Sequence, residues 1–279
     1  MTIQTALQQG IRLLEDGAVP AARLTAEVLL CHALHQERSY LYGHPEAELA
    51  EVQWIHYGRY LHERLQGKPT QYITRTQEFY GRPFLVTPAV LIPRPETEHL
   101  VEIAKGLEAR RIVDIGCGSG AIAVTLQLET GAEVWATDIS PAALEVARRN
   151  ADRHGVGRRV SFRTGDLLRG LDSIDRPFDA ILANPPYVVD RARPALQPEV
   201  RDFEPAVALF GGSDGLELIT RLVAEAPRNL RPGGYLIFEF GLGQDVEIEE
   251  LLQLAPELAL VGVRRDLQGI SRTAIARRV

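Results

Sequence analysis

The run Arg111-Ile-Val-Asp-Ile-Gly-Cys-Gly-Ser-Gly120 constrains this chain more than any other stretch. A strand-like apolar segment (111–116) runs straight into a loop carrying Gly116, Gly118 and Gly120, and a helical pattern follows at about 119–130. Glycine tolerates positive φ and lets a ligand approach the backbone where a side chain would block it. The start of the following helix adds unpaired N–H groups and a partial positive charge. Strand, glycine loop and helix in that order open a parallel α/β sheet.

The C-terminal part repeats the rhythm. EVWATDI (133–139), VSFRTGD (160–166), FDAILAN (178–184) and GYLIFEF (234–240) are further apolar strands. Helical stretches lie between them, at about 141–154, 215–230 and 244–254. Such alternation predicts a parallel sheet covered on both faces, an α/β fold. The tail, LALVGVRRDLQGISRTAIARR, reads as two strands with a turn at Gly269, an antiparallel pair closing one sheet edge.

The first 75 residues read as helices instead. Ile3, Leu7, Ile11 and Leu14 line one helical face. Pro20 suits the first turn of a second helix, through Leu24, Val28, Leu30 and Leu34, which is apolar most of the way round. Trp54, Tyr57, Leu61 and Leu65 form a third stripe ending near Gly67–Pro69. Residues 77–92, QEFYGRPFLVTPAVLI, alternate around Gly81 and predict a hairpin. The expected organisation is a helical domain (1–75), a hairpin linker (76–92) and an α/β domain (93–279).

Composition narrows the function. Lys+Arg number 31 against 37 Asp+Glu, a net charge of −6, and residues 1–75 carry seven basic and eight acidic side chains. A protein that grips nucleic acid by its phosphates needs a basic face, so no direct nucleic-acid partner is expected. Two cysteines, Cys31 and Cys117, make no disulfide framework and have no CxxC partner. With no basic start before an apolar core and no membrane-length apolar run, a cytoplasmic chain is expected. Five of the seven histidines (His32, His35, His44, His56, His62) fall in the helical part, without an HxxxH pair or an acid cluster. No metal site is expected there.

Two acids and a third strand end give the glycine loop its ligand. Asp138, 22 residues after Gly116, ends the second strand, where a carboxylate can accept both ribose hydroxyls of a nucleoside. Gly116, Gly118 and Ala121 also satisfy a GxGxx(G/A) dinucleotide fingerprint. Asp114 favours S-adenosylmethionine (SAM): an acid two residues before the first glycine can hold the ligand's ammonium but would repel a pyrophosphate. Gly165-Asp166 ends the third strand, where Asp166 can accept from the adenine amino group and Leu167 can pack on the ring. The expected pocket comprises Gly116, Cys117, Gly118, Ser119, Gly120, Asp138, Asp166 and Leu167.

Asn184-Pro185-Pro186-Tyr187 follows the fourth strand. In an open α/β sheet, ligands bind beyond the carboxyl ends of the strands, near the switch in strand order. Two prolines fix φ and supply no N–H, giving a rigid turn that can only accept. The Asn184 side-chain oxygen and the Pro185 carbonyl can take both hydrogens of one planar NH2 group, with Tyr187 as a flat face beside it. An amide nitrogen is a poor nucleophile, and two acceptors on its hydrogens let positive charge develop there as a methyl arrives. Asn184, Pro185 and Tyr187 are therefore the candidate catalytic residues, with Pro186 completing the turn.

Other segments are less decided. In Ile92-Pro-Arg-Pro-Glu-Thr-Glu98, Pro95 with Glu96 and Glu98 suits a helix start as well as a place at the cleft. The long stretch 188–213, with Glu204-Pro205 and Gly211-Gly212, can shape a peptide groove. Glu239, at a strand end, reads as a supporting acid or an arginine's partner.

These residues together resemble the HemK/PrmC-type release factor glutamine methyltransferases. The resemblance spans the helical domain, IPRPETE (92–98), DIGCGSGAIA (114–123), DIS (138–140), NPPY (184–187), FEPAVALFGGSDGL (203–216) and PGG (232–234). It implies a seven-stranded SAM-dependent methyltransferase fold. It implies methyl transfer to the side-chain amide of the glutamine in the Gly-Gly-Gln (GGQ) tip of class 1 peptide-chain release factors. By the same resemblance Gly116–Gly120, Asp138, Leu167 and Asn184 line the SAM pocket, Asn184–Tyr187 hold the glutamine, and the helical domain docks the release factor. A monomer is expected. Arg75 stands where many relatives have glycine, and Leu167 where some have an aromatic. The rival substrates are a ribosomal-protein glutamine or the adenine amino group of a nucleic acid, since NPPY also serves adenine-amino methyltransferases.

Overall fold

The computed structural model describes residues 1–171 and 176–279. The chain divides into two compact units, Met1–Thr76 with Gln197–Phe203, and Gln77–Leu196 with Glu204–Val279.

The first unit is helical: α1 (Ile3–Asp16), α2 (Ala22–Leu34), α3 (Arg38–Gly43), α4 (Glu51–Leu65) and α5 (Thr70–Thr74). Thr2 caps α1, its hydroxyl accepting the Thr5 N–H at 3.2 Å. Ile3 and Leu14 are buried, with Leu7 and Ile11 packed beside them, and Tyr57 and Leu61 of α4 face the same core. Pro20 does not open the second helix. It lies in the turn before α2, and Ala21 at φ +50° sets the entry instead. Residues 197–203 join this unit, where Glu199 pairs with the buried Arg64 at 2.6 Å. That grouping was not legible in the sequence, which assigned the segment to the α/β domain. Buried Glu27 gathers Arg38 at 2.6 Å, Arg23 at 3.2 Å and the Tyr42 hydroxyl at 2.5 Å.

The second unit begins with a hairpin, β1 (Thr76–Phe79) and β2 (Arg82–Leu85), turning at Gly81. The hairpin is shorter than the expected 76–92 and groups with the α/β unit, because Phe79 and Phe84 are buried in that unit's core. Then come α6 (Glu98–Lys105), β3 (Arg111–Ile115), α7 (Ala121–Thr130), β4 (Glu133–Asp138), α8 (Pro141–Arg153), β5 (Val160–Thr164) and β6 (Phe178–Ala183). The chain continues through α9 (Pro198–Phe203), α10 (Glu217–Asn229), β7 (Leu230–Glu239), α11 (Asp245–Gln253), β8 (Leu258–Arg265) and β9 (Ser271–Arg278).

The sheet order is β5-β4-β3-β6-β7-β9-β8. The first five strands are parallel; β9 runs antiparallel between β7 and β8. Alternation along the strands feeds two cores, as the two-residue period of a pleated strand requires. Ile112, Ala180 and Leu182 face α6, α7 and α8, whereas Val113, Ile181 and Ala183 face α10 and α11. Burial on both faces explains why these strands read as continuous apolar runs. The strand order reverses between β3 and β6, so the glycine loop after β3 and the NPPY turn after β6 leave the sheet side by side. Among the described residues no helix is long and apolar enough to cross a membrane.

Candidate active site

The loop after β3 bends through three left-handed glycines, Gly116 at φ +71°, Gly118 at +53° and Gly120 at +77°. L side chains avoid this region at a cost of roughly 1–2 kcal/mol per residue. At Gly120 a Cβ would also stand 3.1 Å from the Ala147 Cβ of α8, so the loop lies directly on that helix. The Cys117 N–H bonds the Thr137 carbonyl of β4 at 2.9 Å, and the Gly120 N–H bonds the Cys117 carbonyl at 2.7 Å. Asn150 of α8 pins the loop from outside: its Nδ2 donates to the Ser119 carbonyl at 2.8 Å and the Leu85 carbonyl at 2.9 Å, while its Oδ1 accepts the Leu85 N–H. Burial pushes the Cys117 thiol well above its ordinary value, so it is a packing residue.

Asp138 faces the loop. Its Oδ2 accepts the Gly118 N–H and its Oδ1 the Ser140 N–H, each at 2.8 Å. Burial raises its carboxyl, against the pull of these two bonds. Ser140 and Pro141 then start α8, the serine hydroxyl accepting the Ala143 N–H.

Asp114 occupies a different place from the one its spacing suggested. It is fully buried beneath the loop, and Oδ2 accepts the Ala123 N–H in the first turn of α7 at 3.1 Å. Its other oxygen has no hydrogen-bond partner among the described residues. Burial pushes the carboxyl up to about 7, opposed by the Ala123 bond and assisted by the Asp138 charge. Asp114 is absent from the cavity lining and braces the helix start instead.

The cavity beyond the strand ends measures about 290 Å³. Gly116, Cys117, Gly118, Ser119, Asp138, Asp166, Leu167, Asn184 and Pro186 all line it. Gly120 supports the loop from beneath, Pro185 is buried, and Tyr187 lies outside the lining. Asp166 is already paired: Arg221 of α10 reaches its Oδ2 at 2.7 Å, and Arg221 also lines the cavity. Leu167 is left-handed at φ +54°, and its carbonyl accepts the Thr137 hydroxyl at 3.1 Å.

IPRPETE proves to be part of this wall. Leu91, Pro93, Arg94 and Thr97 line the cavity, and Pro95–Thr97 form one turn of 3-10 helix before α6. Buried Glu204 accepts the Ile92 N–H at 3.2 Å and pairs with Arg94 at 2.6 Å, so the stretch after NPPY is fastened to IPRPETE. That stretch is less open than its composition suggested, being mostly short helical turns with a bridge between Val188 and Phe210.

One connected set of bonds ends on Asn184. Its Nδ2 donates to the Thr97 hydroxyl at 3.0 Å. Thr97 donates in turn to Glu239 Oε2 at 2.8 Å, and the Tyr187 hydroxyl donates to Glu239 Oε1 at 3.0 Å. Glu239 is 2% exposed at the end of β7. Burial raises its carboxyl, against the two hydroxyl bonds and the Arg272 charge. Burial and this neighbouring carboxylate together drive the Tyr187 phenol far above its ordinary value, so it stays a donor. With one Nδ2 hydrogen bonded to Thr97, the amide is turned so that Oδ1 is left to accept from a ligand. Gln244 closes the turn, donating to the Tyr187 carbonyl at 3.3 Å and accepting the Gly241 N–H at 2.7 Å. Arg221, Asn150 and Gln244 had no signal in the sequence, since each acts across a long chain separation, and Thr97 was marked only as part of IPRPETE, without its partners.

The glycine cradle, the acid opposite it and the lined cavity fit SAM. The two arginines that line the cavity, Arg94 and Arg221, are each paired with a carboxylate, and buried Asp114 lies beneath the loop with partly buried Asp138 beside it, which suits a sulfonium nucleoside better than a pyrophosphate. Known proteins agree with this geometry. Residues 5–74 match the PrmC N-terminal domain family and 95–199 the methyltransferase small domain family. The release factor glutamine methyltransferase of Koribacter versatilis is 42% identical over 100% of this chain and 99% of its own. That of Nitratidesulfovibrio vulgaris is 43% identical over 99% of this chain and 95% of its own. Among solved structures, a methyltransferase from Pyrococcus furiosus shares the fold (TM-score 0.54, 18% identity, 71% of this chain and 90% of that one). So does the hMettl16 catalytic domain (TM-score 0.57, 18% identity, 78% and 81%). The chain is thus a SAM-dependent methyltransferase and belongs to the release factor glutamine methyltransferase family.

Proposed function

We propose that this protein transfers the methyl group of SAM to the side-chain amide nitrogen of the glutamine in the GGQ tip of class 1 peptide-chain release factors, as a cytoplasmic monomer. The observation that carries the reading is Asn184: it stands at the cavity wall after β6 with its nitrogen tied to Thr97 and its oxygen left to accept.

SAM, held by Gly116–Gly120, Asp138 and the Asp166–Leu167 wall, supplies an electrophilic methyl on a sulfonium and leaves S-adenosylhomocysteine. Asn184 Oδ1 and the Pro185 carbonyl each accept one hydrogen of the glutamine NH2. These two acceptors fix the plane of the carboxamide and stabilise positive charge on its nitrogen as the N–C bond forms. One amide proton then leaves to solvent, restoring a neutral secondary amide. Pro185 and Pro186 keep the turn stiff and free of competing donors. Tyr187, anchored through Glu239, holds the far end of the turn. The helical unit, matched to the PrmC N-terminal domain, serves release-factor docking.

Labelled methyl transfer tests the reading. Label appearing on a class 1 release factor, and absent when its GGQ glutamine is replaced by alanine, is expected. Label on isolated ribosomal proteins, DNA or RNA with none on the release factor would refute it.

A further inference from the structure

The Asn184 amide is symmetric in shape but not in chemistry. Its oxygen accepts and its nitrogen donates, and a half-turn about the terminal bond exchanges them. Presented nitrogen-first, it would set a donor against the donors of a substrate NH2 group and the site would fail. Something must therefore fix which end faces the cavity.

We propose that Glu239 and Thr97 form a directional hydrogen-bond relay that fixes the Asn184 amide with its oxygen toward the substrate, making both positioning residues for methyl transfer. The logic runs outward from the buried end. A carboxylate has only acceptors. Facing Glu239 Oε2 at 2.8 Å, the Thr97 hydroxyl must spend its one proton there. Its oxygen can then only accept from Asn184, 3.0 Å away, and only Nδ2 can donate. The second carboxylate oxygen is occupied by the Tyr187 hydroxyl, so the same acid also anchors the other end of the NPPY turn. Glu239 closes a strand 52 residues beyond Tyr187, and Thr97 lies 87 residues before Asn184, so three separate elements meet at one amide.

This inference rests on the glutamine-transfer reading above, and two independent readouts separate their failures. The first is kinetic. Thr97→Val keeps the shape and removes the hydroxyl. It is expected to lower kcat between about tenfold and a hundredfold with a much smaller change in SAM affinity, and Thr97→Ser is expected to recover most of the loss. Glu239→Gln can donate to Thr97 and reverse the relay, with a similar loss expected. In an Asn184→Ala background Thr97→Val should cost nothing more, because the residue it orients is gone. Unchanged turnover in Thr97→Val, or a full additional loss beside Asn184→Ala, would overturn the relay.

The second readout needs no substrate. In 15N-labelled protein the Asn184 side-chain NH2, assigned by its disappearance in Asn184→Ala, is expected to show one proton shifted downfield by the Thr97 bond. That shift should vanish in Thr97→Val and persist in Thr97→Ser. Its survival in Thr97→Val would refute the relay even if methyl transfer to a release factor were observed. If no release factor is methylated by the native protein, the substrate reading fails while this spectrum still decides the relay.

Discussion

Asp138 holds the N–H of Gly118 at 2.8 Å, so the acid that ends β4 fastens the very loop it faces. The carboxylate is both a wall of the cavity and a brace of the glycine cradle, and its second oxygen fixes Ser140 at the start of α8. One residue thereby sets loop, strand end and helix start in register.

Asp138→Ala is expected to weaken SAM binding by about ten- to a hundredfold, since hydrogen bonds to a charged group are worth roughly 1.5–3 kcal/mol each. Isothermal titration calorimetry measures this directly. Asp138→Asn, which retains one acceptor, should fall between the two; equal affinity for all three proteins would show that Asp138 does not face the ligand.

Two glycine substitutions separate backbone strain from steric clash. Gly116→Ala meets open space at φ +71°, so only the left-handed penalty of roughly 1–2 kcal/mol applies. Gly120→Ala carries that penalty and also presses on Ala147, 3.1 Å away. Chemical denaturation should find Gly120→Ala the less stable by about a further 1 kcal/mol or more. Equal losses would mean that α8 yields without cost.

Arg75 offers the converse. It ends α5 at φ +60°, in the left-handed region that glycine adopts freely. Arg75→Gly should stabilise the helical unit by up to roughly 1 kcal/mol, because glycine adopts this conformation without Cβ strain. A higher denaturation midpoint is the expected result, and a lower one would mean that the arginine side chain contributes more than its backbone costs.

Asp114 should mark the pH dependence of stability. Its folded carboxyl sits at about 7, raised from 3.8 by burial, so the native state holds the proton more tightly than the unfolded chain. The stability this gives is complete below pH 4 and is lost as pH rises through 7. Asp114→Asn removes the titration while keeping an acceptor for Ala123. Relative to the native protein, the variant should gain stability between pH 4 and 8, by an amount of the order of 4 kcal/mol. Parallel stability curves for the two proteins across that range would contradict the assignment.

The sheet and its ligand side were legible because they depend on local patterns. Strands buried on both faces read as apolar runs, left-handed turns ask for glycine, and Asp138 and Asn184 both follow strands that the pattern marks. Residues 184–187 were likewise placed by the end of one strand. The sequence misjudged residues whose role is set by distant partners. Asp114 has the spacing of a ligand-binding acid, yet its side chain turns toward the helix start and takes the Ala123 N–H. Asp166 does line the cavity at the expected strand end, but its pairing with Arg221, 55 residues away, carried no local signal. For the segment holding Thr97 the sequence left a helix start and a place at the cleft equally open, because neither Asn184 nor Glu239 is near it in the chain. Pro20 suits a first helical turn by its fixed φ, yet the left-handed Ala21 starts the helix two residues later.

The most direct test is tandem mass spectrometry of a class 1 release factor after incubation with SAM and either the native protein or Asn184→Ala. With the native protein, a single added methyl on the side-chain nitrogen of the GGQ glutamine is expected. With Asn184→Ala, the yield at saturating SAM should be lower by about a hundredfold or more, as for loss of one aligned polar group at a reacting centre. A methyl on any other residue, or an undiminished yield from Asn184→Ala, would contradict the central claim that this asparagine aims a carboxamide nitrogen at the donor.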